Sequence, residues 1–186
     1  MTNDLTDKKV AFLVAPEGVE QVELTQPWDA VKKAGGTPIL VSTEVGKVQA
    51  FNHLAPADVF DADVAADDAD VADYVGLVLP GGVANPDRLR TDPDAVAFVK
   101  SFFDAGKPVA VICHGPWTLI EADVVEGRTL TSWPSVHTDI LNAGGSWVDK
   151  EVAVCTEGPN TLISSRNPDD LPAFCSTTVE VFGASG

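Results

Sequence analysis

Short apolar runs alternate with longer segments of helical period along nearly the whole chain, and this alternation constrains the fold more than any other feature. Residues 10–15 (VAFLVA), 37–42 and 74–79 have the length and composition of buried strands. Between the first two, apolar side chains recur every three or four residues from 24 to 34, as on one face of a helix. Repeated strand–helix–strand units predict an α/β protein with a mostly parallel sheet.

The second half of the chain continues the pattern. We predict a helix over residues 92–105 with one apolar face, followed by a central strand at 107–112 that ends directly before Cys113. The remaining predicted elements are helices at 116–122, 135–143 and about 169–181, and strands near Thr129, at 151–155 and at 161–164.

Length and composition narrow the class of protein further. A chain of 186 residues with 45% hydrophobic residues suits one domain, predicted as residues 1–186 with 1–8 as a loose N-terminal tail. Its net charge of -16 and pI near 4.2 oppose nucleic acid and anionic membranes as partners. The polar start and the lack of a long apolar run indicate a cytoplasmic protein. Three cysteines far apart in sequence predict free thiols, and no metal or organic cofactor is implied.

The acidic residues are concentrated between positions 58 and 73, where seven aspartates alternate with alanine and valine. We interpret this segment as a solvated strand edge and loop. A calcium site is the alternative, but the spacing lacks the glycine turn and final glutamate of an EF-hand loop.

Cys113 stands at the carboxyl end of a predicted central strand, where open α/β sheets bind their ligands. It is followed by one residue, then Gly115, then a helix that opens with Pro116. Such an elbow strains the backbone of the nucleophile and needs a glycine to let strand and helix approach. We predict that the helix N-terminus lowers the pKa of the thiol, which makes Cys113 unusually reactive. The alternative is a buried cysteine that packs as a small hydrophobe, the interpretation we prefer for Cys155 and Cys175.

Four motifs in one order carry a resemblance to a known family. They are EGVEQVEL, LVLPGG, AVICHGPW and SRNPDDLPAF, and together they resemble the PfpI (intracellular protease I) family from about residue 9 to 182. That family belongs to the class I glutamine amidotransferase-like superfamily, which includes the Parkinson-disease protein deglycase. The resemblance implies a three-layer α/β sandwich with a flavodoxin-like or Rossmann-like sheet.

The same resemblance implies the site residues. The nucleophile and the histidine after it match Cys113 and His114, and the glutamate that hydrogen-bonds the sulfur matches Glu23. Asp87 matches an acidic residue that reaches the histidine from a neighbouring subunit in oligomeric relatives, although the founding proteases carry glutamate there. Glu20 lies near the predicted pocket mouth, one helical turn before Glu23.

These residues suggest definite roles, and each has an alternative. A protonated Glu23 would donate to the sulfur, and backbone N–H groups around Gly81, Gly82 and His114 would form an oxyanion hole. Alternatively, Glu23 is an acidic residue at a helix start and Asp87 a turn residue. Residues assigned to the pocket wall or packed core are Trp117, Trp133 and Pro134, whereas His53 and His137 are interpreted as ordinary surface or hydrogen-bonded histidines.

Two classes of function use Cys113 differently. In the first, the thiol attacks small reactive carbonyls, as in glyoxalase or deglycase chemistry, or a peptide bond as in an intracellular cysteine peptidase. In the second, Cys113 is oxidised in a redox-sensing stress-response protein. A glutamine amidotransferase is disfavoured because residues 165–168 read Ser-Arg-Asn-Pro in place of the His-x-Glu pair. The resemblance also implies a homodimer or a higher homo-oligomer.

Overall fold

A seven-stranded sheet forms the centre of the molecule in the computed structural model, which describes residues 4–185. Its strands, with the bounds in parentheses, follow the spatial order β11 (Val152–Cys155), β12 (Leu162–Ser165), β8 (Val109–Ile112), β7 (Gly76–Leu79), β1 (Lys9–Val14), β3 (Thr37–Ser42) and β6 (Val64–Ala65). All neighbours pair in parallel except β11, which runs antiparallel to β12. The predicted mostly parallel sheet is confirmed.

Helices cover both faces of this sheet, as the alternation of side chains along each strand requires. The helices are α1 (Gln21–Lys33), α2 (Ala84–Leu89), α3 (Pro93–Asp104), α4 (Pro116–Glu121), α5 (His137–Asn142) and α6 (Leu171–Ala184). Val10, Phe12 and Val14 point to the face covered by α1 and α6, whereas Ala11 and Leu13 point to the face covered by α3, α4 and α5. The three-layer sandwich is therefore confirmed.

A second, three-stranded sheet was not predicted. It consists of β2 (Glu17–Glu20), β4 (Lys47–Asn52) and β5 (Ala55–Asp61), with β4 and β5 antiparallel. His53, which begins the turn between them, has a positive φ of 55°. A further short pair joins β9 (Thr129–Leu130) to β10 (Ser146–Trp147). The hairpin matters for function because its turn reaches the carboxyl end of the main sheet, beside α1.

The acidic segment and the N-terminal tail can now be located. Strand β5 is largely exposed, as predicted for the start of the segment 58–73, and within residues 4–185 no three acidic, histidine or cysteine side chains are grouped to hold a metal ion. Residues 1–3 of the predicted loose tail lie outside the described residues. From Leu5 onward the chain is packed, because Leu5 is fully buried and its N–H donates to the Ala34 carbonyl at 2.8 Å. No helix of the described chain has the length and apolar character needed to cross a membrane.

Candidate active site

Cys113 occupies a strained elbow between β8 and α4. Its φ of 63° lies in the left-handed region that non-glycine residues rarely adopt. A Cβ at Gly115 would approach Val111 Cγ2 to 2.6 Å and the Leu79 carbonyl oxygen to 3.0 Å, so only glycine fits two residues after the cysteine. The elbow geometry predicted from the sequence is confirmed.

The electrostatic prediction for this thiol was wrong. Cys113 is only 6% exposed, and burial raises the pKa of its thiol well above the ordinary value, with the negative charge of an ionised Glu23 acting in the same direction. Backbone N–H groups of Gly82 and His114 point at the sulfur and oppose this effect without cancelling it. Because α4 has only six residues, its dipole does not outweigh the loss of hydration.

Glu23 is fully buried in the first turn of α1, with its carboxyl group beside Cys113. Oε2 accepts a hydrogen bond from the Gly81 N–H at 2.8 Å, and Oε1 has no hydrogen-bond partner among residues 4–185. Burial raises the pKa of Glu23 to about 8. The carboxyl is therefore protonated at neutral pH. A neutral carboxyl can donate a hydrogen bond to the neighbouring sulfur but carries no charge to interact with the helix dipole, so the first of the two interpretations of Glu23 is favoured.

Gly81 and Gly82 have different tasks. The N–H of Gly81 is committed to Glu23, so it is not free to bind a developing oxyanion as predicted. A Cβ at Gly81 would lie 2.6 Å from both Cys113 Cβ and Glu23 Oε2, which explains the glycine. Gly82 has a φ of 81°, and its N–H points at the sulfur. Gly82 and His114 are therefore the predicted oxyanion donors that Glu23 does not occupy, and that role stays a prediction.

The turn that carries both glycines is held by a residue that the sequence did not reveal. Asn85 is fully buried; its side-chain nitrogen donates to the carbonyls of Pro80 and Gly81, both at 3.0 Å, and its oxygen accepts the Ala15 N–H at 2.7 Å. The local signal was slight, because an asparagine before proline reads as a turn residue. Only the long-range contact with the end of β1 gives it this role.

His114 links Cys113 to a serine from a distant segment. Its Nδ1 lies 3.1 Å from Cys113 Sγ, and its Nε2 lies 3.2 Å from Ser135 Oγ. The ring stacks on Trp133 at 5.8 Å between centroids and contacts Trp117 at 5.2 Å. Burial lowers the pKa of His114, so the imidazole is neutral at pH 7 and can accept a proton. Sequence reasoning missed Ser135, which is 21 residues away.

Asp87 and Trp117 are two predicted site residues whose side chains make no hydrogen bond with Cys113 or His114 in the described chain. Asp87 is exposed on α2 at the cavity rim, and no hydrogen bond of the described chain joins it to His114. Its reach from a neighbouring subunit stays a prediction. Trp117 lies behind His114 and outside the cavity wall, because its indole N–H donates to Asp139 at 2.8 Å. Of the predicted tryptophans, Trp133 lines the cavity.

The sulfur opens into a cavity of about 880 Å³ with an acidic and apolar lining. Its acidic side chains are Glu17, Glu20, Asp87 and the protonated Glu23, and its apolar side chains include Phe51, Leu54, Val83 and Trp133. No lysine or arginine of the described chain lines it. Glu20 holds the hairpin turn, since its Oε2 accepts the His53 N–H at 3.0 Å. His53 thus belongs to the cavity wall, and the missed hairpin supplies one side of the site.

A buried cysteine on a strand–helix elbow, beside a protonated glutamate and a neutral histidine, defines a cysteine-centred site at the carboxyl edge of an α/β sandwich. Residues 8–181 match the DJ-1/PfpI family, and the chain belongs to that family. The resemblance stated from the four motifs is thereby confirmed.

Individual relatives add detail. The chain is 40% identical over 178 residues to a protein of Escherichia coli K12 named protein/nucleic acid deglycase 2, covering 95% of this chain and 99% of that one. It is 42% identical over 168 residues to general stress protein 18 of Bacillus subtilis, covering 90% and 93%. A solved two-domain protein of Anabaena variabilis, with DJ-1/ThiJ/PfpI-like and ferritin-like domains, superposes with a TM-score of 0.85 at 32% identity. That match covers 95% of this chain and 50% of the other.

Proposed function

We propose that the protein is a cysteine-dependent enzyme that acts on small reactive carbonyl compounds, in the manner of a deglycase or glyoxalase. The observation that carries this proposal is the buried trio at the cavity floor: a thiol, a histidine nitrogen 3.1 Å from its sulfur, and a carboxyl that keeps its proton at neutral pH. The name of the Escherichia coli relative supports the same chemistry.

Each group has one task in the addition step. The neutral His114 accepts the thiol proton at Nδ1 while the Cys113 sulfur attacks the aldehyde carbon. A carbon–sulfur bond forms, and the electron pair of the C=O double bond moves to the oxygen, which the N–H groups of Gly82 and His114 stabilise. The protonated Glu23 is a donor beside the sulfur and adds no negative charge there.

With methylglyoxal the later steps balance without an added oxidant or reductant. The carbon attached to sulfur loses its proton, and the resulting enediol takes up a proton on the adjacent carbon, which leaves a lactoyl thioester. Water hydrolyses this thioester and returns the free thiol, so the sum is methylglyoxal plus water giving lactate. His114 is the base nearest to the sulfur.

The charge of the cavity selects among carbonyl substrates. Of its four carboxyl side chains, Glu23 is protonated, and Glu17 forms a salt bridge with Arg88. Glu20 and Asp87 therefore supply the negative charge of the lining, and no cationic side chain of the described residues lines it, so an adduct that carries phosphate meets repulsion. Neutral dicarbonyls and carbonyl adducts of amines suit this lining better.

The test compares wild type with Cys113→Ser and Cys113→Ala for methylglyoxal consumption and lactate formation in freshly reduced protein. Both variants should fall to the buffer rate, because the attacking sulfur is gone. Cys175→Ser is the matched control, since this thiol lies on α6 away from the cavity, and it should keep wild-type activity. Lactate formation that survives in Cys113→Ala would contradict the proposal.

A redox-sensing role is the second candidate, favoured by the similarity to general stress protein 18. The N–H groups directed at the Cys113 sulfur suit an oxidised, anionic sulfur as well as a thiolate. Mass spectrometry after low peroxide distinguishes the two. Oxygen gained at Cys113 in a protein that turns over no carbonyl supports sensing.

The peptidase and the homo-oligomer stay predictions. A completed Cys113–His114–Asp87 triad needs Asp87 from a neighbouring subunit, because Ser135 is the hydrogen-bond partner of His114 Nε2 in the described chain. An Asp87→Ala variant with unchanged activity on every substrate would end the triad hypothesis.

A further inference from the structure

Cys155 lies in a second polar cluster, at the end of the sheet opposite the candidate active site. In the strand register Cys155 pairs with Leu162, which pairs with Val109, whereas Cys113 follows Ile112. Four residues of strand separate the two levels, about 13 Å along the sheet. The two cysteines are therefore too far apart to form a disulfide.

The cluster is built around a buried arginine. Arg128 is 3% exposed, and none of the salt bridges in residues 4–185 involves it. Its Nη1 donates to Asn160 Oδ1 at 2.9 Å, and its Nη2 donates to the carbonyls of Asn160 and Cys155 at 2.8 and 3.2 Å. These acceptors are all neutral, so the guanidinium lacks a carboxylate counter-charge in the described chain. A buried cation in that position favours an anion within reach.

The Cys155 sulfur is the group that can become this anion. Arg128 Nε and the Thr129 N–H both donate to Sγ, each at 3.4 Å. Burial alone raises the pKa of Cys155, but these donors and the Glu157 backbone outweigh it, and the pKa lies below its ordinary value. Among residues 4–185 the acceptor within hydrogen-bond distance of the sulfur is the Glu157 carbonyl at 3.7 Å, to which a neutral thiol would donate. Two N–H donors and a cation directed at one sulfur stabilise the thiolate relative to the thiol.

We propose that Arg128 stabilises the thiolate of Cys155, and that Cys155 forms a second modification site, independent of Cys113, that reacts with hydrogen peroxide. The thiolate attacks one peroxide oxygen, a sulfur–oxygen bond forms and the oxygen–oxygen bond breaks, and hydroxide leaves and is protonated to water. Sulfur loses two electrons to the peroxide and becomes a sulfenic acid. Although Cys155 is only 4% exposed, residues 156–159 after it are all exposed, so the sulfur lies close beneath a surface loop.

The first experiment measures the charge of the sulfur directly. The double variant Cys113→Ser, Cys175→Ser leaves Cys155 as the single cysteine, because the chain has three. The ultraviolet absorbance of the thiolate should appear at lower pH in the folded variant than in the same chain unfolded in urea, where the unpaired thiol has its ordinary pKa of about 8.5. A titration at or above that value overturns the proposal. Since Arg128 is intact, this arm does not depend on the folding of an arginine variant.

The second experiment uses Cys175 of the wild-type protein as an internal control. Cys175 is more exposed than Cys155 but has no cationic partner in the described residues, and burial raises its pKa to about 11. Low peroxide followed by dimedone and peptide mass spectrometry should label Cys155 on the order of tenfold faster than Cys175. Exposure alone would give the reverse order, and that order would refute the thiolate. In Arg128→Lys the preference for Cys155 should shrink, because lysine cannot reproduce the Nε contact. An unchanged preference in a folded variant also counts against the proposal.

Discussion

The pKa of Glu23 ties the candidate site to the stability of the protein. Its folded value of about 8 lies above the ordinary value of 4.5, so the unfolded chain releases this proton first as the pH rises. The stability present below pH 4.5 is therefore lost between about pH 4.5 and pH 8. Glu23→Gln keeps a neutral, similarly shaped group and removes this loss.

Glu23→Gln should therefore gain stability relative to wild type as the pH rises. We expect the difference between their free energies of unfolding to shift in favour of the variant by about 3 kcal/mol between pH 4.5 and pH 7. Urea unfolding at pH 4.5, 6 and 7 measures it. Glu180→Gln is the control for removing an acidic side chain elsewhere, since Glu180 is exposed on α6 and lies outside the cavity. If the Glu23→Gln difference changed with pH no more than the Glu180→Gln difference does, the buried neutral carboxyl would be refuted.

Ser135 orients the histidine in the proposed mechanism. If Nε2–H donates to Ser135 Oγ, the lone pair stays on Nδ1, the nitrogen facing the sulfur. Ser135→Ala should lower kcat on the order of tenfold and change the acidic limb of the pH profile, whereas Ser135→Thr keeps a hydroxyl and should restore most of the rate. Equal rates and pH profiles in wild type and Ser135→Ala would show that the contact is only structural.

Among the secondary-structure elements, the sequence predicted the strands that are buried along their whole length and missed those that depend on pairing with distant segments. Strands β1, β3, β7 and β8 are buried apolar runs, so their pattern alone indicated them. The β4–β5 hairpin was not predicted because β5 is largely exposed and β4 pairs with β2, whose partner residues lie 31 or 32 positions earlier in the chain. Since this hairpin carries Phe51, His53 and Leu54, one cavity wall was missed with it.

The same distinction separates the site residues. Cys113, Gly115 and Glu23 follow from motifs in the sequence, whereas Asn85 and Ser135 act through contacts between distant segments. The direction of the thiol pKa was also missed, because the depth at which Cys113 is buried depends on Glu23 and the Gly81 turn closing over it.

The turn between β7 and α2 should lose its conformation when the Asn85 side chain that holds it is removed. Asn85→Ala leaves two carbonyls and one N–H without their buried partner, and we expect a loss of about 2–4 kcal/mol in the free energy of unfolding. Activity should fall more than stability explains, since the Gly82 N–H shifts. Asn142→Ala, on an exposed position of α5, should change neither. Urea unfolding and methylglyoxal turnover test both, and an Asn85→Ala protein with wild-type kcat would contradict the anchoring role.

For the whole molecule, the net charge of -16 sets how stability responds to salt. Like charges repel within the folded chain, and exposed ion pairs such as Lys47–Asp61 contribute little in return. Raising sodium chloride screens the repulsion over distances of about 10 Å at 0.1 M. We expect Tm to rise with salt by a few degrees, since about 1 kcal/mol corresponds to roughly 2–4 °C for a chain of this size.

The segment rich in aspartate should account for a measurable part of this response. Asp67 and Asp68 are exposed, and neither makes a side-chain hydrogen bond or salt bridge in the described chain, so Asp67→Asn with Asp68→Asn moves the net charge from -16 to -14 without removing a contact. This pair should raise Tm at low salt and flatten its dependence on sodium chloride, because it removes two charges from a crowded acidic stretch. Glu44→Gln, an exposed carboxylate outside that stretch, is the control and should have the smaller effect. Thermal unfolding at roughly 10 mM and roughly 500 mM sodium chloride measures this, because these concentrations bracket weak and strong screening. Equal dependence of Tm on salt in wild type and the double variant would mean that repulsion in this segment does not limit stability.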